Sequence, residues 1–154
     1  MVHSGQTSVT KLRAIDGARL GTFDVGIAQA GIVFDGANMW VTHSGGRIGA
    51  TVTKLQASDG TVLGTFAVGT DPRGLAFDGA NIWVANHGSD TLTKLRASDG
   101  ALLATTALKH TEKTVDPTGN VRITNLTFTQ PYGVAFDGKA IWVSCPGNNY
   151  VIRE

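Results

Sequence analysis

A repeated motif constrains this chain more than any other feature of its sequence. Phe-Asp-Gly occurs at Phe34, Phe77 and Phe136, which are 43 and 59 residues apart, and a Trp-Val pair follows each copy within six residues. A second marker, Thr-Lys-Leu followed by Asp-Gly, recurs at spacings of 43 and 40 residues. The repeating unit is therefore about forty residues long, within the range of units that stack into repeat architectures.

Within each unit, four short runs of β-branched and apolar residues are separated by clusters of Gly, Asp and Asn, which is typical of strands and turns. In the central unit these runs predict strand A at 74–77, strand B at 82–85, strand C at 92–96 and strand D at 102–106. Asp-Gly pairs join A to B and C to D, because glycine tolerates positive φ and aspartate bonds the backbone ahead of it. The pattern predicts an all-β fold, a β-propeller of four-stranded antiparallel blades.

The segment DPRGLAFDGANIWVANHGSDTLTKLRASDG resembles the repeats of bacterial YVTN-type propellers, and the similarity to this and to NHL-like repeats covers nearly the whole chain. A more distant resemblance is to propellers of the streptogramin B lyase type. The resemblance implies an architecture rather than an activity, because propellers host binding, scaffolding and catalysis alike. Relatives of this repeat type are often exported, but no feature of the sequence indicates a cellular compartment.

The phase of the repeats predicts an incomplete circle of blades. A single domain, 1–154, divides into strands C and D of a shared blade (1–26), two full blades (27–68 and 69–108), an insertion (109–130) and strands A, B and C of a shared blade (131–154). This is about three blades, whereas closed propellers have four to eight. Open strand edges invite association, so we expect a homodimer of six blades in which A and B of one chain meet C and D of the other. The competing interpretation is a piece of a longer propeller.

Composition argues against two classes of partner. Thirteen basic and twelve acidic residues give a net charge of +1, so no strong field attracts nucleic acid or an anionic membrane. The polar segment 1–10 and the lack of 18 consecutive apolar residues predict neither a signal peptide nor a membrane span. The single cysteine, Cys145, excludes an intrachain disulfide and a CxxC zinc site.

Differences between the units predict which face binds a ligand. The A-to-B turns are nearly uniform, whereas the B-to-C loops and D-to-A connections differ in every unit, so we place a ligand site on the face where these variable segments emerge. The candidate ligand-binding residues on this face are Arg73, Tyr132, His43, Asn86, His87 and Cys145. The first two precede a strand A glycine near the channel entrance, and the other four lie at or just after the end of strand B.

Histidine can bind a metal or act as a general base, and a cysteine thiolate can act as a nucleophile. The candidates lie on separate blades, however, and no carboxylate accompanies them at a fixed offset. We therefore predict no catalytic residue, no metal and no cofactor, with solvated loop histidines and a partly buried Cys145. The recurring tryptophans are predicted to pack between blades. The strand C lysines Lys11, Lys54 and Lys94 are predicted to form a solvated outer edge.

The insertion, 109–130, replaces a linker of about three residues in the other units. Its second half, 121–128, alternates polar and apolar residues enough to predict one added strand. Long loops in compact domains are often functional, and this segment carries several charged residues. The alternative is a surface-covering insertion without a function, because lengthening a surface loop changes stability little.

Two functions remain open at this stage. The favoured one is a non-catalytic binding or assembly module whose variable face recognises a protein, a glycan or a small molecule. The alternative is an enzyme similar to the propeller lyases that open streptogramin B antibiotics, or to propeller lactonases, using histidines on the variable face with or without a divalent metal. The alternative needs a preorganised acid–base pair. The chain contains neither Gly-x-Ser-x-Gly nor His-Glu-x-x-His.

Overall fold

The regular structure of the described residues consists of β-strands in five antiparallel sheets. The computed structural model describes residues 7–26, 28–45, 50–115, 117–118, 121–127, 129–146 and 150–153. It describes side chains for all of these residues except 109–115, 121–127 and 150–153. The sheets are β1 (Ser8–Leu12) and β2 (Arg19–Asp24); β3 (Gln29–Phe34), β4 (Asn38–His43), β5 (Thr51–Gln56) and β6 (Val62–Ala67); β7 (Pro72–Phe77), β8 (Asn81–Asn86), β9 (Thr91–Arg96) and β10 (Leu102–Ala107); β11 (Lys109–Val115) and β12 (Val121–Thr127); and β13 (Val134–Phe136), β14 (Ile141–Cys145) and β15 (Tyr150–Arg153).

Two of these sheets are complete four-stranded blades, β3–β6 (blade 1) and β7–β10 (blade 2), in which each strand pairs with the next along the chain. They are flanked by a two-stranded half-blade, β1–β2, and by the three-stranded blade 3, β13–β15. The four strands predicted in the central unit are confirmed and extend by at most two residues beyond the predicted ranges. The predicted all-β propeller blades are therefore present. No helix among the described residues has the length and apolarity that crossing a membrane requires.

The insertion forms a hairpin of its own. Strands β11 and β12 pair from Lys109 with Thr127 to Val115 with Val121, as a separate two-stranded sheet. The added strand predicted over 121–128 is present as β12, and residue 128 lies outside the described residues. The prediction of a single strand was incomplete, because β11 is rich in charged and polar residues and so lacks the alternation of polar and apolar residues that indicated β12.

The Phe-Asp-Gly turn is held by its aspartate. Asp35 Oδ1 accepts hydrogen bonds from the backbone N–H of Ala37 and Asn38 (2.9 and 2.7 Å), and Oδ2 accepts one from Trp40 Nε1 (2.7 Å). Burial by itself would raise the pKa of Asp35, but these hydrogen bonds outweigh it and hold the pKa below its ordinary value. The stabilisation from a lowered pKa is present at neutral pH and is lost as the pH falls through the folded-state pKa. The same aspartate-to-tryptophan bond recurs at Asp78–Trp83 and Asp137–Trp142.

The core lies between successive blades. Trp40, on β4, is fully buried against Leu75, Ile82 and Leu95 of blade 2. Its ring lies 5.5 Å from that of Phe66, centroid to centroid. Trp40 thus packs between two blades, as the recurrence of this residue predicts, and Trp83 is partly buried against blade 3.

The inner strands of neighbouring blades approach so closely that glycine is required there. A Cβ on Gly31 would lie within 3.0 Å of the carbonyl oxygen of Arg73, and a Cβ on Gly74 within 3.0 Å of that of Tyr132. The N–H of Gly74 instead donates to the oxygen of Tyr132 (2.8 Å). Between blades 1 and 2 the Thr42 hydroxyl accepts from the N–H of Gly31 (2.7 Å) and donates to the oxygen of Arg73 (2.9 Å).

The prediction of a solvated lysine edge is wrong for Lys54. Its Nζ is buried between blades 1 and 2, where it donates to the carbonyl oxygens of Ala97 (2.7 Å) and Ser98 (3.0 Å) and lies 5.1 Å from the Trp40 ring centroid. A lysine on a strand can place its stem along apolar surface and its charged end at a distant acceptor. Here the acceptors are turn carbonyls of the next blade, so the lysine connects blades.

We expect the substitution Lys54→Met to lower the free energy of unfolding by about 1.5 kcal/mol, because it removes two hydrogen bonds from a charged donor and keeps the apolar stem. The matched control is Lys11→Met. Lys11 Nζ makes the equivalent bond to Ala57 (3.0 Å) but is exposed, so about 0.5 kcal/mol or less is expected. Urea denaturation at neutral pH measures both changes. Equal effects at the two positions would contradict a role for burial.

Candidate functional site

The D-to-A connections and B-to-C loops meet on one face, which we call the loop face. In blade 2 the N–H of His87 donates to the oxygen of Asp71 (3.0 Å), and the N–H of Gly88 donates to that of Thr70 (3.0 Å). On the opposite face the C-to-D turn bonds the A-to-B turn, with the N–H of Ala97 donating to the oxygen of Ala80 (3.0 Å). The variable segments therefore form one continuous surface in this blade.

An unusual backbone conformation marks the loop face. Ala28, Asp71 and Gln130 occupy equivalent corners, three residues before the glycines Gly31, Gly74 and Gly133, and their φ angles are 61°, 49° and 58°. Residues with a side chain seldom adopt positive φ, because Cβ approaches the backbone there. Such strained positions are concentrated at binding and catalytic sites. The strain here turns the chain sharply from strand D of one blade to strand A of the next.

Asp71 organises the corner of blade 2. Its Oδ2 lies 3.0 Å from Arg73 Nη2 and 3.2 Å from His87 Nδ1. All three side chains are partly exposed, with 25 to 34% of each accessible to solvent. The carboxylate therefore holds a guanidinium and an imidazole side by side at the surface.

Tyr132 of blade 3 completes this group across the blade boundary. The guanidinium carbon of Arg73 lies 6.0 Å from the centroid of the Tyr132 ring. The His87 ring meets the same ring edge to face, with centroids 6.2 Å apart and planes at 84°. Tyr132 itself is 52% exposed. We call Asp71, Arg73, His87 and Tyr132 the corner cluster.

Two buried polar atoms of blade 2 have no hydrogen-bond partner within the described part of the protein: Nε of Arg73, a donor, and Oδ1 of Asn86, an acceptor. A buried polar atom without a partner destabilises the fold, so native proteins keep few of them. The unpaired Arg73 Nε belongs to the same guanidinium that contacts Asp71 and Tyr132. The partly exposed guanidinium therefore retains one nitrogen, Nε, from which no described group accepts a hydrogen bond.

The other candidates are not gathered into this cluster. His43, Asn86 and Cys145 end strand B in three different sheets, and all three side chains are buried. His43 Nε2 lies 2.9 Å from the Thr53 hydroxyl, within its own blade. Asn86 Nδ2 donates to the hydroxyls of Thr91 and Thr93 (3.0 and 2.8 Å). The expectation of a solvated His43 is wrong, because the end of strand B packs towards the preceding blade.

Cys145 is more deeply buried than the sequence suggested, with 1% of its surface exposed. It packs with Ala85, Leu92 and Leu108 of the blade 2 boundary. Burial raises the pKa of the Cys145 thiol, and the nearby negative charge of Asp90 raises it further. The thiol is therefore protonated at neutral pH and does not supply the thiolate that a nucleophile needs.

Sequence reasoning identified three members of the corner cluster and missed Asp71. No carboxylate accompanies the candidates at a fixed offset along the chain, and Asp71 instead reaches His87 across the fold. The available signal was Asp-Pro directly before strand A, a position occupied by alanine and glutamine in the other units. Among the described residues, no group of three His, Cys, Asp or Glu side chains is placed to hold a metal ion.

Comparisons with solved structures agree with the blade architecture. A structure of hydrazine synthase from Kuenenia stuttgartiensis, a β-propeller protein, matches with a TM-score of 0.59 and 20% identity over 82% of this chain and 35% of that one. Dihydro-heme d1 dehydrogenase NirN in complex with DHE, also a propeller, matches with a TM-score of 0.59 and 22% identity over 99% of this chain and 33% of that one. The chain has a propeller fold. It spans about a third of the structures it matches. No protein-family model and no curated protein sequence matches it.

Proposed function

We propose that this chain is a propeller binding module whose ligand, a small molecule with an anionic group and a flat apolar part, occupies the corner cluster. The proposal depends on one observation: Arg73 has a buried unpaired donor while its guanidinium lies beside the exposed Tyr132 ring. Arginine donors suit carboxylates, and an exposed aromatic ring suits a flat apolar group. Ligand sites commonly combine an apolar surface with a few convergent polar groups.

Asp71 restricts what the arginine can bind. Its carboxylate already contacts Arg73 Nη2 and His87 Nδ1, so it holds both groups in place and offsets the positive charge of the guanidinium. An anionic ligand therefore gains from directed hydrogen bonds rather than from a large excess of positive charge. This is consistent with a chain whose net charge is only +1.

Titration of the ¹⁵N-labelled protein with benzoate, followed by NMR, tests this function. We expect benzoate to shift the backbone amide signals of Asp71, Arg73, Gly74, 87–88 and 132–133. Acetate or benzyl alcohol should shift them less, because each lacks one half of the required chemistry. Arg73→Ala should weaken benzoate binding about tenfold or more, which corresponds to losing a charge-assisted hydrogen bond of about 1.4 kcal/mol.

Arg96→Ala is the matched control, because Arg96 forms a similar ion pair with Asp99 (3.0 Å) at a turn on the opposite face. This variant should bind benzoate as the unmodified protein does. A benzoate affinity that is unchanged by Arg73→Ala, or shifts confined to other surfaces, would exclude the corner cluster as the binding site.

A second candidate is an enzyme resembling the propeller lyases that open streptogramin B or the propeller lactonases. The observation that favours it is the contact between His87 Nδ1 and Asp71 Oδ2, because a carboxylate that orients an imidazole is a frequent arrangement in general acid–base catalysis. Incubation with an aryl lactone, followed by its ring-opening rate, tests this candidate. Activity that His87→Ala removes would support it, and a rate equal to the buffer control would exclude it for that substrate class.

A further inference from the structure

An open cleft of about 600 Å³ lies between blades 1 and 2 on the face opposite the loop face. Its lining comes from the A-to-B turns of both blades, from Lys54 of β5 and from the C-to-D turn of blade 2 at 96–98. Small-molecule sites usually have volumes of about 300 to 1,000 Å³, and this cleft falls within that range. It shares no residue with the corner cluster, so it is a separate candidate site.

Two asparagines at equivalent positions, Asn38 and Asn81, line this cleft from the two blades. The Nδ2 group of each donates to both carboxylate oxygens of the aspartate three residues before it, Asp35 (3.3 and 3.2 Å) or Asp78 (3.2 and 3.1 Å). Among the described residues, no donor bonds the amide oxygen Oδ1 of either asparagine. Each side chain therefore contributes one hydrogen-bond acceptor that the described part of the protein does not use.

Blade 3 shows that the turn forms without this asparagine. Ala140 occupies the equivalent position, and Asp137 still accepts hydrogen bonds from the backbone N–H of Ala140 (2.8 Å) and from Trp142 Nε1 (2.7 Å). The turns of blades 1 and 2 contain the same two bonds. The amide groups of Asn38 and Asn81 are therefore not required for the turn, and their oxygens are available for a role in the cleft.

The charged side chains that line the cleft offset one another. Lys54 is buried, and its Nζ donates to two turn carbonyl oxygens of blade 2, which leaves one of its three N–H groups without an oxygen acceptor among the described residues. Burial raises the pKa of Asp35, but its hydrogen bonds lower it further, so this carboxylate is ionised at neutral pH. Arg96 is paired with Asp99 (3.0 Å). The cleft therefore has no excess charge that would favour an ion.

Phe77 adds an aromatic ring to these polar groups. Its side chain is half-buried against the core between blades 1 and 2, and it also lines the cleft. A pyranose sugar has C–H groups that pack on the flat apolar surface of an aromatic ring, and hydroxyl groups that both donate and accept hydrogen bonds. Its chemistry thus complements an aromatic ring, two amide oxygens and an ammonium group.

We propose that this cleft binds a neutral mono- or disaccharide. The amide oxygens of Asn38 and Asn81 accept hydrogen bonds from sugar hydroxyls, Lys54 Nζ donates to a sugar oxygen, and the Phe77 ring packs against the C–H groups. An apolar ligand fits less well, because it would remove water from the unpaired amide oxygens without replacing its hydrogen bonds. The site lies on the opposite face from the corner cluster, and the proposal does not depend on the function proposed there.

Titration of the ¹⁵N-labelled protein with maltose, cellobiose and lactose, followed by NMR, tests the proposal. At least one of these neutral disaccharides should shift the backbone amide signals of Asn38, 79–81 and 97–98 and leave that of Arg73 unchanged. Sugar concentrations up to about 20 mM detect dissociation constants in the millimolar range. Inorganic phosphate at the same concentration should shift these signals less. No shift with any of the three sugars, or tighter binding of phosphate than of every sugar, would overturn the proposal.

Substitutions in the turns test which residues hold the sugar. Asn81→Ala should weaken binding of the disaccharide about fivefold or more, as expected for a lost hydrogen bond, and the Ala140 turn shows that alanine is compatible with the fold there.

Ala80→Phe should abolish binding, because Ala80 is an exposed residue of the cleft lining and a phenyl ring in its place fills the cleft. Ala37→Phe is the matched control, because Ala37 is the equivalent exposed turn residue of blade 1 and does not line the cleft. This control should bind the disaccharide as the unmodified protein does, and unchanged amide signals in the other blades verify that each variant is folded. Sugar-induced shifts that persist in Ala80→Phe would refute the cleft as the binding site.

Discussion

Replacing Trp40 by alanine should lower the free energy of unfolding by about 3 to 5 kcal/mol, the range for removing a large buried aromatic side chain. Trp40 is fully buried between blades 1 and 2, and it also donates to Asp35 and packs against Phe66 and Lys54. Single domains are typically stable by about 5 to 15 kcal/mol, so this loss is a large share of the total.

Urea denaturation monitored by circular dichroism measures the effect of Trp40→Ala. Trp40→Phe separates the two contributions, because it keeps much of the apolar volume while removing the indole N–H that bonds Asp35. Its cost should be clearly smaller than that of the alanine variant. If both variants were equally unstable, the hydrogen bond to Asp35 within blade 1, rather than the packing between blades, would account for the stabilisation.

Gly31→Ala should lower the free energy of unfolding by about 3 kcal/mol, at the upper end of the usual range for overpacking. The added Cβ would lie within 3.0 Å of the Arg73 carbonyl oxygen, and it would also meet the side chains of Leu75 (3.0 Å) and Thr42 (3.2 Å). A backbone oxygen of the adjacent blade cannot move aside as a side chain can. The inner strands must therefore separate, which breaks the bond from the Thr42 hydroxyl to Arg73.

The control for this glycine is Gly21→Ala on β2. A Cβ at Gly21 meets only the side chain of Phe23, at 3.0 Å, and that ring can rotate slightly to accommodate it. We expect a change of about 0.5 kcal/mol or less, as for most substitutions away from such close contacts. Thermal denaturation of both variants gives the comparison. Equal melting temperatures would show that the two inner strands tolerate separation.

The sequence predicted the blades well because the signals are local. Alternating apolar residues and Asp-Gly turns repeat at each unit, and short-range sterics and hydrogen bonding suffice to form such hairpins. It also predicted that Trp40 would pack between blades. Whether a strand C lysine is exposed or buried depends on the adjacent blade. The repeat pattern alone therefore predicted an exposed edge and missed the burial of Lys54.

The candidate site was harder to predict for the same reason. Arg73, His87 and Tyr132 were identified from their places relative to strands A and B, but the Asp71 carboxylate that joins two of them comes from the corner before strand A. His43 and Asn86 occupy equivalent positions in the repeat, and their burial follows from packing towards the preceding blade. Proximity in a propeller arises from neighbouring blades, so spacing along the chain does not report it.

The direct bond between the N–H of Gly74 and the carbonyl oxygen of Tyr132 joins the backbones that carry Arg73 and Tyr132. The two halves of the proposed binding site, Arg73 and Tyr132, thus belong to two different blades whose inner strands are joined by a backbone hydrogen bond. A ligand that contacts both residues would stabilise the interface between these blades, because its binding free energy is lost when the two blades separate. Occupancy of the site would then be measurable as a higher resistance of the boundary between blades 2 and 3 to thermal and mechanical unfolding.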